Sequence, residues 1–185
     1  MKEGQAPPVC TIGHSTRSIA EFVALLQAGG VTLVVDVRSI RRSRTNPQYN
    51  ADALPESLAE LGIGYMSIPE LGGRRPRQKS VPPGVNAFWH NRGFHNYADF
   101  AMSAEFDLGL RRLLTLSEDS SCALMCAEAV WWRCHRRIIA DYLLLHERAV
   151  LHLMEKGRIE AASMTPAAVV QGKVLAYPSP AIGEP

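Results

Sequence analysis

Residues 122–140 read CALMCAEAVWWRCHRRIIA and contain the strongest structural signal in the sequence. The apolar residues 123–125 are typical of a buried strand, which ends at Cys126 and Glu128. After a short loop, we expect a helix to open at residues 134–136 (CHR). In an open parallel sheet, ligands bind at the carboxyl ends of the strands, where helix N-termini direct N–H groups inward. The stretch therefore predicts a site that combines thiols, a carboxylate, an imidazole and guanidinium groups.

Apolar and β-branched runs elsewhere in the chain alternate with helical periodicities. Residues 32–37 (TLVVDV) are typical of a strand buried on both faces, as in parallel sheets. The other candidate strands are 9–12, 63–68, 123–125, 150–154 and, at an edge, 174–177. The candidate helices are 19–26, 53–61, 97–102, 106–116 and 136–146, and a short one is expected to begin at 165–168. The alternation predicts a Rossmann-like α/β fold of three layers, with helices on both faces of a mainly parallel sheet.

Length and composition describe an ordinary globular chain. We expect one domain over residues 1–185, with a long loop at about 69–95 and a frayed tail from about 178. No apolar run reaches the roughly 18 residues of a membrane helix, and residues 1–8 lack the apolar centre of a signal peptide. Four cysteines, three of them within residues 122–134, do not resemble a secreted disulfide framework. We therefore expect no membrane association, a cytoplasmic location and reduced thiols.

Positive charge is concentrated in one part of the chain. The net charge is only +2, but residues 38–95 contain nine Lys or Arg against four acids, a net of +5. Such asymmetry favours an anionic partner, either a small phosphate-bearing molecule or a nucleic acid. The alternative is charge that only keeps the loops soluble.

Short motifs spread over residues 11–177 are specific as a set. They are Thr11-Ile12-Gly13-His14-Ser15, Val35-Asp36-Val37-Arg38-Ser39, Ser43-Arg44 with Asn46-Pro47-Gln48-Tyr49-Asn50, Leu71-Gly72-Gly73-Arg74-Arg75, Tyr97-Ala98, Met125-Cys126-Ala127-Glu128 and Cys134-His135-Arg136. In this combination the chain resembles the bacterial domain-of-unknown-function family 488. The resemblance implies an α/β domain. Because that family has no settled activity, it implies no substrate.

The chain departs from the family pattern at two places. Residues 129–133 read AVWWR, where the family usually resembles a polar, Pro-containing turn, and Arg41 stands where the family often has Pro. In a loop, Trp131 and Trp132 have three candidate roles: covering the site, contacting a base or binding a partner.

Two cysteines are candidate nucleophiles. Cys134 lies near the predicted helix N-terminus beside Arg133 and Arg136, and such positive surroundings lower a thiol pKa. The alternative is a cysteine that packs against the sheet. Cys126, a strand-end cysteine followed by a loop and an arginine, is similar to phosphatase and rhodanese loops. However, six residues separate it from Arg133, and Glu and two Trp stand where a phosphate-binding loop needs small residues.

Glu128 and His135 form the best acid–base pair, because a carboxylate can orient an imidazole whose pKa lies near neutrality. His14 is a third candidate, and Asp36 is either catalytic or a structural carboxylate that accepts backbone N–H groups. Cys126, Cys134, His135 and His14 also offer metal-ligand atoms, but their spacing is no known zinc pattern. The sequence therefore assigns no metal and no cofactor, and it leaves the number of subunits open.

Arginines near the predicted strand ends suit bidentate contacts with phosphate. The candidates for binding an anion are Arg38, Arg44, Arg74, Arg75 and Arg136. The alternative is a set of internal salt bridges with Asp36, Glu70 and Glu128.

Two functional hypotheses follow. In the first, the domain holds a phosphate-bearing ligand, a nucleotide or nucleic acid, and modifies it with Glu128, His135 and one of the two cysteines. In the second, the same polar cluster is structural, and the Trp131-Trp132 loop binds a protein partner without catalysis. Burial distinguishes them: full enclosure of Glu128, Cys134 and His135 with no cavity beside them favours the binding module, whereas an open polar pocket favours the enzyme.

Overall fold

The computed structural model describes residues 6–179, which form a six-stranded sheet flanked by helices. The strands are β1 (Val9–Gly13), β2 (Leu33–Asp36), β3 (Gly64–Ser67), β4 (Cys122–Cys126), β5 (Val150–Leu153) and β6 (Ile159–Ala161). The helices are α1 (Ile19–Ala28), α2 (Leu54–Ala59), α3 (Arg92–Phe100), α4 (Ala104–Asp119) and α5 (Arg136–Leu145). The strand order is β3-β2-β4-β1-β5-β6, with the first five strands parallel and β6 antiparallel to β5.

The sheet is buried on both faces because its central strands alternate two sets of apolar side chains. In β4, Ala123 and Met125 join the core formed with α1 and α2, whereas Cys122 and Leu124 join the core formed with α3, α4 and α5. Parallel strands require such two-sided burial, since their crossover helices cover both faces. The α/β fold with a mainly parallel sheet and helices on both faces is therefore confirmed, including the five predicted parallel strands.

The C-terminal part of the chain differs from expectation. The predicted short helix at 165–168 is wrong: Ala168 N–H closes a single turn on the carbonyl of Thr165, and the chain then continues as β7 (Val169–Gln171). The β-branched residues of β7 pair with β8 (Val174–Ala176), so the predicted strand at 174–177 belongs to a separate two-stranded sheet. The expected frayed tail falls largely on residues 180–185, outside the described residues.

The segment at 72–91, within the expected long loop, is attached to the C-terminal strand. Asn86 and Trp89 are buried, and the Asn86 side chain accepts the N–H of Tyr177 and donates to Asp99. Phe88 N–H bonds the Tyr177 carbonyl in return. These bonds fix the segment that leads into α3, which begins after Asn91, whose side chain caps the Gly93 and Phe94 N–H groups.

In the described part of the chain, no helix is both long and apolar enough to cross a bilayer. All four cysteines are free thiols and all are buried, as expected for reduced thiols.

Candidate functional site

The carboxyl ends of β1, β2 and β4 meet at one edge of the sheet. Gly13 pairs with Cys126, and Asp36 pairs with Met125. A side chain at position 13 would not fit, since its Cβ would lie 2.6 Å from the carbonyl carbon of Glu128. The Gly in the first motif thus permits the close approach of β1 to the chain that follows β4.

A cavity of about 250 Å³ opens beside these strand ends. Its lining includes six of the predicted site residues together with residues from the segment before α3 and from its first turn. The lining residues are Arg38, Ser39, Ile40, Gly73, Arg74, Asn91, Gly93, Phe94, Cys126, Ala127, Glu128, Arg133, Cys134 and His135.

Two thiols and an imidazole converge at the cavity wall. Nδ1 of His135 lies 3.5 Å from Sγ of Cys134 and 3.8 Å from Sγ of Cys126, and the three atoms lie within 4.8 Å of one another. The Cys126 thiol donates a hydrogen bond of 2.8 Å to Oε2 of Glu128. The structure therefore brings together four of the six predicted catalytic residues.

The His135 ring is held on three sides. Its Nε2–H donates to the carbonyl oxygen of Val37 at 3.0 Å, and Tyr97 packs against it edge-on at 4.9 Å between ring centroids. A Cβ at Gly73 would lie 2.6 Å from Cε1 and 2.7 Å from Cγ of His135, so only glycine leaves room for the ring. Because Nε2 donates, the tautomer with a free Nδ1 lone pair directs that lone pair toward the thiols.

Arg136 is a fully buried cation behind the cluster. Its guanidinium donates to the Glu128 carbonyl at 2.6 Å, to Cys134 Sγ at 3.3 Å and to Thr11 Oγ1 at 3.4 Å. Within residues 6–179, no carboxylate lies at salt-bridge distance from it. A buried charge needs a counter-charge, and the Cys134 thiolate is the acceptor in reach.

The two thiols differ in their acidity. Burial acts to raise the pKa of Cys134, but the neighbouring Cys126 thiol, His135 and Arg136 lower that pKa well below its ordinary value. The neighbouring Cys134 thiolate, together with burial, raises the pKa of Cys126 well above its ordinary value. The pair thus favours one thiolate, at Cys134, and one thiol, at Cys126.

Asp36, Arg38 and His14 form a second network beneath the cavity. Arg38 donates from Nε and Nη2 to the two carboxylate oxygens of Asp36, at 2.9 and 2.6 Å, and Tyr65 donates to Asp36 as well. Arg38 Nη1 donates to Nε2 of His14 at 3.2 Å, and His14 Nδ1–H donates to the Ser15 carbonyl. Burial, aided by Arg38, lowers the pKa of His14 to about 4.

Both ring nitrogens of His14 are thus occupied, and neither His14 nor Asp36 lines the cavity. Their contacts orient Arg38.

The remaining predicted arginines differ in whether they line the cavity. Arg74 is exposed and lines the cavity, whereas Arg44 is exposed and does not. Arg75 donates to the carbonyls of Gly72 and Pro69 and pairs with Glu105 at 2.7 Å, contacts that shape the loop.

Arg133, Asn91 and Phe94 line the cavity although the sequence did not single them out as ligand contacts. An N-cap asparagine before Gly93 was the signal for the earlier start of α3.

Trp131 and Trp132 differ in their contacts and in their exposure. Trp131 stacks on His152 with ring centroids 4.3 Å apart and donates its Nε1–H to Glu160 at 3.2 Å. Trp132 is 42% exposed. Trp131 is half-buried, and Trp132 is the more exposed indole of the two.

Comparison with known families supports the resemblance drawn from the motifs. The family model named DUF488, domain of unknown function DUF488, matches residues 18–143, more than half of the chain. The matched range includes the ends of β2 and β4 and the cluster of Cys126, Cys134 and His135. Comparisons with curated proteins and with solved structures gave no match. The chain belongs to the DUF488 family of domains of unknown function.

Proposed function

We propose that the domain is an enzyme that binds a phosphate-bearing ligand, a nucleotide or a segment of nucleic acid, and acts on it with the cluster of Cys126, Glu128, Cys134 and His135. One observation carries the proposal: the reactive cluster and three arginines border the same cavity of about 250 Å³. The cavity beside Glu128, Cys134 and His135 supports the enzyme over the non-catalytic module.

The charges around the cavity favour an anion. Arg38 is already paired with Asp36, but neither Arg74 nor Arg133 forms an ion pair within the described residues. Glu128 is the one acid among the lining residues of the described chain. The N-terminus of α3, at Asn91 and Gly93, adds the positive end of a helix dipole to the same wall.

The size of the cavity limits what it encloses. Sites for small molecules typically measure about 300–1,000 Å³, so a volume of about 250 Å³ suits a phosphate and part of its substituent. The remainder of a nucleotide, or the neighbouring units of a nucleic acid, would extend over the rim toward Arg74 and Arg133. Arginine is suited to this role because its planar fork matches phosphate oxygens.

The cluster offers groups for covalent and for acid–base catalysis. Cys134 is held near Arg136 as a thiolate, the nucleophilic form of cysteine. Glu128 is exposed at the cavity and hydrogen-bonded to Cys126, which allows it to exchange protons with a ligand.

Thermal unfolding with inorganic phosphate, mononucleotides and short single-stranded oligonucleotides tests the proposal. A ligand at 100 times its Kd stabilises the native state by about 2.7 kcal/mol, a rise in Tm of about 5–10 °C for a chain of this size. Arg74→Gln with Arg133→Gln should abolish the shift. Arg111→Gln, an exposed arginine on α4 that pairs with Asp107, is the matched control and should retain it.

Arg44→Gln separates the two ligand classes, because Arg44 lies outside the cavity lining. We expect it to weaken binding of an oligonucleotide that covers the loop and to leave mononucleotide binding unchanged. If no phosphate-bearing compound shifts the Tm, the proposal is wrong.

A protein partner at the Trp131-Trp132 loop is the second candidate, favoured by the exposed indole of Trp132. It predicts that Trp132→Ala abolishes association with the partner while ligand-induced thermal shifts persist.

A further inference from the structure

We propose that Cys126, Cys134 and His135 bind one Zn²⁺ ion whose fourth coordination position opens into the cavity. The three ligand atoms, two Sγ and one Nδ1, lie within 4.8 Å of one another, and all three residues line the cavity. Three protein ligands with one open position are typical of catalytic zinc sites, including sites built from two cysteines and one histidine.

The distances between the ligand atoms fit a tetrahedral ion. With Zn–S of about 2.3 Å and Zn–N of about 2.0–2.1 Å, a tetrahedral angle places sulfur and nitrogen about 3.5–3.6 Å apart. The observed separations from His135 Nδ1 are 3.5 Å to Cys134 Sγ and 3.8 Å to Cys126 Sγ. The two sulfurs lie within 4.8 Å of each other, whereas a tetrahedral ion places them about 3.8 Å apart, so the cysteine side chains would move together when the ion binds.

The surroundings orient the ligands as they do in metal sites. The Nε2–H of His135 donates to the Val37 carbonyl, which turns the Nδ1 lone pair toward the two sulfurs. The Nε–H of Arg136 donates to Cys134 Sγ and would stabilise a metal-bound thiolate. Two thiolates and an imidazole are ligands that favour Zn²⁺ over Mg²⁺ or Ca²⁺.

The backbone explains how neighbouring residues reach one ion. Cys134 is extended, with φ −129° and ψ 148°, whereas His135 is helical, with φ −56° and ψ −17°. This change of conformation just before α5 lets two adjacent side chains converge. The site therefore forms without the ligand spacing of known zinc-binding motifs.

Charge supports the assignment. Two buried sulfurs this close are not both thiolates without a cation between them, because like charges repel strongly at short range. Zn²⁺ takes the place of the one proton on Cys126 and binds the Cys134 thiolate and the Nδ1 lone pair, so one proton is released and no electrons are transferred. With zinc bound, the Cys134 thiolate would remain the acceptor for the buried Arg136 guanidinium.

The chemical role of the ion rests on the proposed function. The proton of Cys126, now donated to Glu128, leaves when zinc binds, which frees the Glu128 carboxylate. The ion would supply Lewis-acid chemistry for metal-assisted hydrolysis of a phosphate ester. The oxygen of a water would bond to phosphorus, the bond from phosphorus to the ester oxygen would break, and Glu128 would take the proton of the water and pass it to the departing oxygen.

Metal analysis of the full chain tests the inference. Protein purified without chelator from medium containing zinc should hold one equivalent of Zn²⁺ per chain. Cys126→Ser, Cys134→Ser and His135→Gln should each reduce the zinc content at least tenfold, whereas Cys122→Ala, a buried cysteine of β4 outside the cluster, should retain one equivalent. Circular dichroism of each variant verifies that it is folded.

A measurement on the unmodified protein avoids the risk of unfolded variants. Replacing the metal by Co²⁺ should produce sulfur-to-cobalt charge-transfer absorption and the visible bands of a tetrahedral ion, both removed by chelator. Zinc below a tenth of an equivalent in the folded wild-type chain, or an equivalent that survives loss of both Cys126 and Cys134, overturns the inference. Bound zinc without any phosphate-dependent thermal shift overturns the proposed function alone. A phosphate-dependent thermal shift without bound zinc overturns the zinc site alone.

Discussion

The Nε2–H of His135 donates a hydrogen bond of 3.0 Å to the carbonyl oxygen of Val37, the residue that follows β2. This bond joins the start of α5 to the end of a neighbouring strand and decides which ring nitrogen faces the thiols. Since a carbonyl oxygen only accepts, the proton is on Nε2, and Nδ1 is available to share a proton or to bind a metal. The two proposals therefore depend on one orientation of one ring.

Gly73→Ala should displace that ring. The added methyl would lie 2.6 Å from Cε1 of His135, and overpacking of this kind costs about 1–3 kcal/mol. We expect a lower free energy of unfolding in urea and zinc content reduced at least tenfold. Gly84→Ala is the matched control, because a Cβ there meets nothing within 4 Å. Equal zinc content in the Gly73 variant and the wild type would contradict the orientation described here.

Arg136→Lys should destabilise the domain although it conserves charge. Lysine lacks the planar fork that reaches the Glu128 carbonyl, Cys134 Sγ and Thr11 together, so an ammonium would be buried with fewer hydrogen bonds. We expect a loss of about 2–4 kcal/mol in urea unfolding. The exposed Arg111→Lys on α4 should change stability by about 0.5 kcal/mol or less. A loss of similar size in both variants would show that Arg136 is not a structural cation.

Cys134 should react with iodoacetamide near neutral pH in protein freed of metal by chelator. Its pKa lies well below the ordinary value and it lines the cavity, although only 2% of the residue is exposed. Burial raises the pKa of Cys10 to about 11, and burial also raises that of Cys122 to about 11, so both should stay unlabelled.

Mass spectrometry of peptides from a labelling time course gives the labelling rate of each of the four cysteines. Zn²⁺ or a bound phosphate-bearing ligand should slow labelling of Cys134. A Cys134 that resists labelling without metal, with Cys134→Ala strongly destabilised, would identify it as a core cysteine.

The fold and half of the site follow from local sequence signals. Residues buried on both faces of β2 and β4 make the parallel sheet predictable, and the carboxyl-end rule places Asp36 and Cys126 at one edge. The opposite wall of the cavity could not be predicted from such local signals. Asn91 and Phe94 reach it because Asn86 and Trp89 pack beside Tyr177, a contact between distant residues that leaves no periodic pattern.

The arginines also show that local sequence does not decide which side chains reach the cavity. Arg74 and Arg75 are adjacent and chemically identical, yet one lines the cavity and the other binds carbonyls of its own loop and Glu105. Composition predicts an anionic partner, but the backbone path decides which guanidinium faces the cavity.

The stability of the domain should depend on pH through His152. This buried imidazole bonds Thr11 Oγ1 through Nδ1 and stacks on Trp131, while Arg136 and Glu160 are the charged groups that act on it. Burial, followed by repulsion from Arg136, lowers its pKa from 6.5 to about 4, against a smaller opposing effect of Glu160. Above pH 6.5 both the folded and the unfolded states are neutral, so its contribution to stability is complete. Between pH 6.5 and about 4 only the unfolded state binds a proton, and stability is lost.

At one pKa unit per 1.36 kcal/mol, that loss reaches about 3 kcal/mol at pH 4. His14, with its pKa lowered to about 4, acts in the same window, so the wild-type profile alone does not isolate His152. We therefore compare urea unfolding of wild type and His152→Gln from pH 7 to pH 4, with chelator present because metal binding also depends on pH. The variant should start less stable at pH 7 and lose about 3 kcal/mol less on acidification. His146→Gln, at an exposed position, controls for the loss of an imidazole. Parallel profiles for wild type and His152→Gln would show that His152 does not resist protonation in the folded state.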